Sequence, residues 1–312
     1  MLRLSSVLAA LLAAGFASRA AAQTNVGAPT DPQRAERCAV RLGVAMTGKT
    51  PTAALLTSPN PQLEVTALLE TPEFIERFSR FVNATFNDTP GMTSAADATY
   101  HLTKYVLTNH KPWKDLFLGG YDFTVNGDTV TVKTDPNGLG YFRTKAWLER
   151  YSGNEENGIK LMTAYRILNN TTGIHLTAAV QTPGVDFTAT GRQNANCRGC
   201  HFDGWFALDR LASVLTRKVK NADDTITFVP PTAGPQQLLG RTVKDDKDLM
   251  TALVESDTFD FRVCRLAWQF LYGRNELSCE GPIFDRCVDA YRAEGTMQAA
   301  LRTVATDPGY CQ

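Results

Sequence analysis

The 312 residues balance 32 Lys and Arg against 32 Asp and Glu, and 43% of the chain is hydrophobic. A chain without net charge carries no electrostatic footprint for nucleic acid or for an anionic membrane surface, so neither is expected as a partner. The length suits one large or two modest domains, with an apolar core that needs no help from a cofactor.

In chain order, residues 1–22 read as a secretory signal peptide. Arg3 supplies the positive start, Val7 to Phe16 the apolar stretch, and Ala20-Ala21-Ala22 the small-residue cleavage site before Gln23. The apolar run is too short and too rich in alanine for a membrane span, and no later segment reaches the length of one. The expectation is therefore an exported, periplasmic protein. Losing Arg3 and Arg19 with the leader leaves a net charge of about −2, still too small to favour a charged partner.

Residues 23–31 form a polar leader, and Pro32 to Val44 predicts a first helix. Gly43 to Thr50 matches the phosphate-loop pattern G-x-x-x-x-G-K-[ST], with Lys49 as its lysine. Pro51 follows where a phosphate-binding helix needs its backbone N–H groups, and no apolar strand ending in Asp follows to hold magnesium. No nucleotide is expected. Thr71 before Pro72 and Glu73 is an N-cap with proline at the first helical position, and Phe74, Phe78, Phe81 and Val82 fall on one face. The phrase Ala67–Phe74 returns as Ala252–Phe259, each followed three residues on by an arginine (Arg77, Arg262), which suggests two helix pairs of like design. Asp97 to Asn109 continues helical. Tyr121 to Lys133 alternates around Asn126-Gly127 and predicts a β-hairpin. Short helices are expected over Lys145–Tyr151 and Glu155–Leu168, and Asn169 to Ala195 reads as irregular.

Cys197-Arg198-Gly199-Cys200-His201 is a complete C-x-x-C-H, the attachment signature of a c-type haem. Two thiols one helical turn apart can each add to a vinyl group of the same porphyrin, and His201 then offers its imidazole as the proximal iron ligand. The competing readings fit less well. A thioredoxin-like couple wants a βαβ context, a zinc site needs a second ligand pair, and a disulfide across two residues closes little chain entropy. One covalent haem c is expected, bound through Cys197, Cys200 and His201.

Beyond the motif, Trp205, Leu208, Leu211, Ala212 and Leu215 make the stripe of a helix ending near Lys218, and Asn221 to Gly234 reads as a loop. Helices follow over Asp245–Glu255, Thr258–Tyr272, Ile283–Ala293 and Thr296–Thr306, with breaks at Gly273 and Gly295. The expected fold class is mainly α, a multi-helix protein with one small β-hairpin. It divides into an N-terminal helical region (23–186), a haem-attachment segment (187–244) and a C-terminal helical region (245–312), packed as one unit. Five further cysteines, Cys38, Cys264, Cys279, Cys287 and Cys311, are an odd number, so at least one stays free or pairs unexpectedly. Export permits disulfides, and Cys279 with Cys287 is the simplest pair to expect.

Several phrases carry a resemblance. Thr47-Gly48-Lys49-Thr50-Pro51-Thr52 resembles a T-G-x-P-P-T turn, and Leu68 to Phe74 an L-L-x-S-P-E-F helix start. Lys111-Pro112-Trp113 with Tyr121-Asp122-Phe123 resembles a block ending in Y-x-F. Phe206-Ala207-Leu208-Asp209 resembles the close of C-x-x-C-H-x-x-x-D-P-x-G-F-A-L-E, and Phe261 to Arg274 a terminal helix ending in L-G-R. Together they are similar to the planctomycete- and myxobacterial-type family of exported cytochrome c-like proteins, domains of unknown function. The resemblance implies haem binding in a periplasmic redox setting and names no substrate. This chain departs from the pattern where D-P-x-G is replaced by Phe202-Asp203-Gly204-Trp205, which leaves open what holds the second nitrogen of His201.

Function then divides on the sixth iron ligand. An electron carrier holds its iron on both faces and works with a redox partner protein, and this is the reading taken. A haem enzyme of peroxidase or oxygenase type leaves the sixth position open, and the length of the chain speaks for it. A sensor or assembly module is the third class. Met250, 49 residues after His201, is the first distal candidate, although it also fits the apolar face of its helix beside Leu249 and Leu253. His175 is the best histidine alternative. Met162 lies in an amphipathic helix and reads rather as core. His101 and His110, near a helix end, read as surface or satisfied core residues.

Overall fold

The computed structural model describes residues 31–87, 90, 97–127, 129–147, 161–177, 184–223 and 225–312. The expected signal peptide lies outside them, as do parts of the helices expected over Lys145–Tyr151 and Glu155–Leu168. The longer helices are α1 (Pro32–Thr47), α2 (Pro72–Phe86), α3 (Ala98–Thr108), α4 (Leu161–Thr172), α5 (Leu208–Ser213), α6 (Asp246–Val254), α7 (Asp257–Tyr272), α8 (Gly281–Glu294) and α9 (Met297–Ala305). The fold is mainly α, as the periodicity predicts. Among the described residues no helix is long and apolar enough to cross a membrane.

Local chemistry sets the main helix starts. Thr71 Oγ1 accepts from the Phe74 N–H at 3.2 Å with Pro72 at the first position of α2, and Ser256 Oγ accepts from the Phe259 N–H at 3.3 Å at the head of α7. Each cap is followed by a fully buried phenylalanine, so the two phrases are alike in structure as in sequence. They part at the arginines. Arg77 stays at the surface and donates to the Ala45 carbonyl, whereas Arg262 is buried with its guanidinium over the Phe86 ring. Loss of hydration pushes the Arg262 guanidinium down to about 10. The core joins α2 to α7 through Phe78 and Phe270, whose rings meet edge-on at 4.9 Å, and continues through Trp113, Phe117 and Tyr141. One buried cluster runs from Cys38 to Tyr310.

The phosphate-loop pattern falls on a helix end. Gly43 to Thr47 are the last turn of α1, Gly48 is its left-handed cap, and Lys49 Nζ donates to Glu73 at 2.9 Å. No strand leads into the pattern, so the backbone cradle that such a loop needs is not formed.

The expected hairpin is present as β1 (Tyr121–Asn126) and β2 (Thr129–Thr134), antiparallel with Asn126 opposite Thr129. Two more hairpins follow the C-x-x-C-H motif: β3 (Arg217–Lys220) with β4 (Ile226–Val229), and β5 (Gln236–Leu238) with β6 (Arg241–Val243). The helix expected from Trp205 to Lys218 therefore shrinks to α5, and the loop expected over Asn221–Gly234 contributes β4. The reason is compositional. Thr225-Ile226-Thr227-Phe228-Val229 is rich in β-branched and aromatic residues, and Arg217 to Lys220 supplies the strand it pairs with. Leu211, Ala212 and Leu215 are buried as the stripe predicts, but Trp205 is 51% exposed. The third hairpin turns at Leu239-Gly240, both at positive φ as a type I′ turn requires.

The disulfides correct the expected Cys279–Cys287 pair. Cys264 on α7 bonds Cys287 on α8, with Cα atoms 6.0 Å apart, and Cys38 on α1 bonds Cys311 across a separation of 273 residues. Cys279 is exposed and unpaired in the short turn before α8, whereas Cys287 faces inward from the packed side of that helix onto α7. Mass mapping without reductant should recover these two bridges and leave Cys279 free to alkylate. In denaturant unfolding, removing both Cys38 and Cys311 should cost about 3–5 kcal/mol, because that bridge closes nearly the whole described chain, and removing both Cys264 and Cys287 about 3 kcal/mol.

Candidate functional site

The segment that carries the C-x-x-C-H motif is assembled from tight turns. The hydroxyl and backbone N–H of Thr188 hold the Asp186 carboxyl below its usual range, and Thr188 in turn receives the N–H groups of Gly191 and Arg192. The chain passes so close to itself here that a Cβ at Gly191 would sit 2.0 Å from the Asp186 carbonyl oxygen. Only glycine fits, and the knot presents Arg192 at the head of the motif.

Cys197 falls in a short α-turn (Ala195–Arg198), and Gly199 to Asp203 continue as a wider π-turn that carries Cys200 and His201. Such turns recur at functional sites because they shift side chains off the regular helical spacing. Gly204 ends the turn by donating to the Gly199 carbonyl at 2.7 Å, where any Cβ would collide with that same oxygen. The chain then reverses at Ala207, which adopts φ +27° while buried. That backbone is costly for a residue with a Cβ, by about 1–2 kcal/mol. The reversal brings α5 back against the motif and places Asp209 beside His201.

His201 Nδ1 lies 2.7 Å from Asp209 Oδ2. The carboxylate is 6% exposed, and Arg192 grips it from the other side: Nη2 to Oδ1 at 2.8 Å, and Nε to both oxygens at 3.2 and 3.1 Å. A carboxylate held by a guanidinium accepts and does not donate, so the proton of the shared bond belongs to Nδ1. In the neutral imidazole Nε2 is then the nitrogen with a free lone pair. The imidazole and Cys197 are part-exposed and Cys200 is exposed, and neither thiol is bridged. This answers the question that the missing D-P-x-G leaves open. The sequence does contain the signal: an acid eight residues past His201 closes the Phe206-Ala207-Leu208-Asp209 phrase. Its meaning depends on the turn at Ala207, which no glycine marks.

A cleft of about 530 Å³ lies beside the segment that follows the motif, lined by Asp203, Gly204, Trp205, Arg210, Thr172 and Ser256 among others, whereas Cys197, Cys200 and His201 do not line it. That volume falls in the range of small-molecule and cofactor sites. None of the distal candidates lines it. Met250 is fully buried on α6 with Leu249 and Leu253, and His175 is exposed with its Nδ1 3.2 Å from the Tyr165 hydroxyl. Met162, expected as core, is 47% exposed instead: it falls with Tyr165 and Asn169 on the less buried side of α4, away from the buried Ala164, Ile167 and Leu168. His101 is buried against Phe123 and His110 pairs at the surface with Glu70, as expected of both. Among the described residues no group of three or more His, Cys, Asp or Glu side chains is placed to hold a bare metal ion. What the site offers is one imidazole with a fixed tautomer and two unpaired thiols.

The two methionines should separate cleanly in thermal or denaturant unfolding. Met250→Ala empties a buried site and should cost about 2–5 kcal/mol, whereas Met162→Ala should change stability by less than about 0.5 kcal/mol. Equal losses would contradict their placement. Comparison with protein-family models, with curated proteins and with solved structures gives no significant match.

Proposed function

We propose that the chain is an exported, mono-haem cytochrome c-like protein that transfers electrons with a redox partner protein in the periplasm. Cys197 and Cys200 attach the haem through thioethers, and His201 is the proximal iron ligand. When bound, the haem supplies reversible one-electron exchange at its iron; the polypeptide holds, orients and shields it.

The observation that carries this reading is the state of the motif's three side chains. Asp209 occupies Nδ1 of His201 and leaves Nε2 as the donor, which is how proteins prepare a histidine to ligate a metal. The two thiols beside it remain unpaired in a chain that bridges four of its other five cysteines. Those bridges also fit an oxidising compartment, where covalent haem attachment takes place in bacteria. The C-x-x-C-H phrase and the family resemblance point the same way.

A second reading, a haem enzyme with an open sixth position, draws on one feature of the structure: the first distal candidate, Met250, is fully buried on α6, whereas Cys200 is exposed. The ferric absorption spectrum separates the two. Produced in a strain competent for cytochrome c maturation, the protein should be red, and the Cys197→Ser/Cys200→Ser variant should lose the covalent pigment. A carrier should be low-spin in the ferric state. Met250→Leu keeps the buried volume at a cost below about 1.5 kcal/mol while removing the sulfur, so it should turn the spectrum high-spin if Met250 is the sixth ligand. A high-spin wild type that reacts rapidly with peroxide would transfer the protein to the enzyme class, and a colourless one would end the haem reading.

A further inference from the structure

The buried carboxylate at the motif does more than fill space. We infer that Asp209, buttressed by Arg192, is a positioning residue that fixes the tautomer of His201 and lowers the reduction potential of the haem iron. The inference rests on the haem reading and deepens it.

Three observations support it. The first is geometry: the 2.7 Å contact from His201 Nδ1 to Asp209 Oδ2 is as short as charge-assisted hydrogen bonds become. The second is burial. Asp209 is 6% exposed, so water screens its charge only weakly at the imidazole. The third is the mode of support. Arg192 takes the carboxylate with two nitrogens, which leaves Oδ2 aimed at His201 and no freedom to swing away.

The direction of the effect follows from charge. A carboxylate accepting the Nδ1 proton makes the imidazole a stronger donor through Nε2, as second-shell carboxylates do for metal-bound histidines. A more electron-rich ligand, with a negative charge behind it, favours the oxidised iron over the reduced. Arg192 works in the opposite sense, since its positive charge draws on the same carboxylate and tempers the donation. The two residues therefore carry opposite signs. A purely structural ion pair, tying the knot at 186–192 to α5, would not distinguish them: loss of either partner would loosen the segment in the same way.

The test is spectroelectrochemical titration of the haem-loaded protein with Asp209→Asn and Arg192→Gln, with covalent haem content measured for each. Asp209→Asn keeps the shape and an acceptor oxygen but removes the charge. The ferrous-to-ferric ratio at a fixed ambient potential should rise at least tenfold, about 59 mV for a one-electron couple. Arg192→Gln should shift the midpoint downward. A haem-loaded Asp209→Asn within threefold of wild type, or two variants moving in the same direction, would overturn the inference while leaving the haem reading intact. Should Asp209→Asn fail to accumulate, Arg192→Gln decides alone: a downward shift supports the role and an unchanged midpoint overturns it. A haem-free wild type would remove the parent reading, and this one with it.

Discussion

Asp209 shares its carboxylate between a guanidinium and an imidazole, and the site is arranged around that sharing. Each partner comes from a different piece of local structure: Arg192 from the knot at 186–192, His201 from the π-turn, and Asp209 from the first turn of α5. A buried carboxylate with one partner missing would be left with an unsatisfied charge, at a cost of several kcal/mol. The three segments therefore hold one another. Loss of the Asp209 carboxylate would deprive the imidazole of its partner at Nδ1, whereas loss of Arg192 would leave that contact in place.

The rest of the chain supplies the frame. Two capped helices, α2 and α7, bury matching phenylalanines and meet through Phe78 and Phe270, and the bridge from Cys38 to Cys311 ties α1 to the chain's last turn. The motif, by contrast, sits in short turns with few fully buried side chains of its own. Rigidity under the site and accessibility at it suit a group that is attached after the chain has been exported. Under the proposed function they would also suit an exchange of electrons at the surface, since the thiols and the imidazole are all at least partly exposed.

What the sequence revealed depended on how local the signal was. The helix start at Thr71 and the hairpin over Tyr121–Lys133 are written in consecutive residues, and the structure contains both, with the turn one residue beyond Asn126-Gly127 because Asn126 pairs with Thr129. The C-x-x-C-H phrase is equally local. Asp209 was visible as an acid and not as a partner, because its approach to His201 depends on an alanine at positive φ, a conformation that alanine does not advertise. The strand at Arg217–Lys220 was hidden for a related reason: it is mostly charged, and its pairing with Ile226–Val229 settles the conformation. The disulfides lie furthest from local reading. Cys279 and Cys287 are near in sequence but Cys287 faces Cys264 across two packed helices, and no spacing rule joins Cys38 to Cys311. The burial of Met250 follows from its helical face, whereas Met162 lies with Tyr165 and Asn169 on the less buried side of α4.

The central claim is that one haem is covalently held at Cys197 and Cys200 with His201 beneath it. The most direct measurement is the mass of the denatured protein, followed by mass mapping of its proteolytic peptides, after export from cells that carry out cytochrome c maturation. The account predicts a polypeptide heavier by one haem, with the added mass confined to the peptide spanning Cys197 to His201 and both thiols refractory to alkylation. A polypeptide of unmodified mass from those cells, with Cys197 and Cys200 both free or bonded to each other, would contradict it.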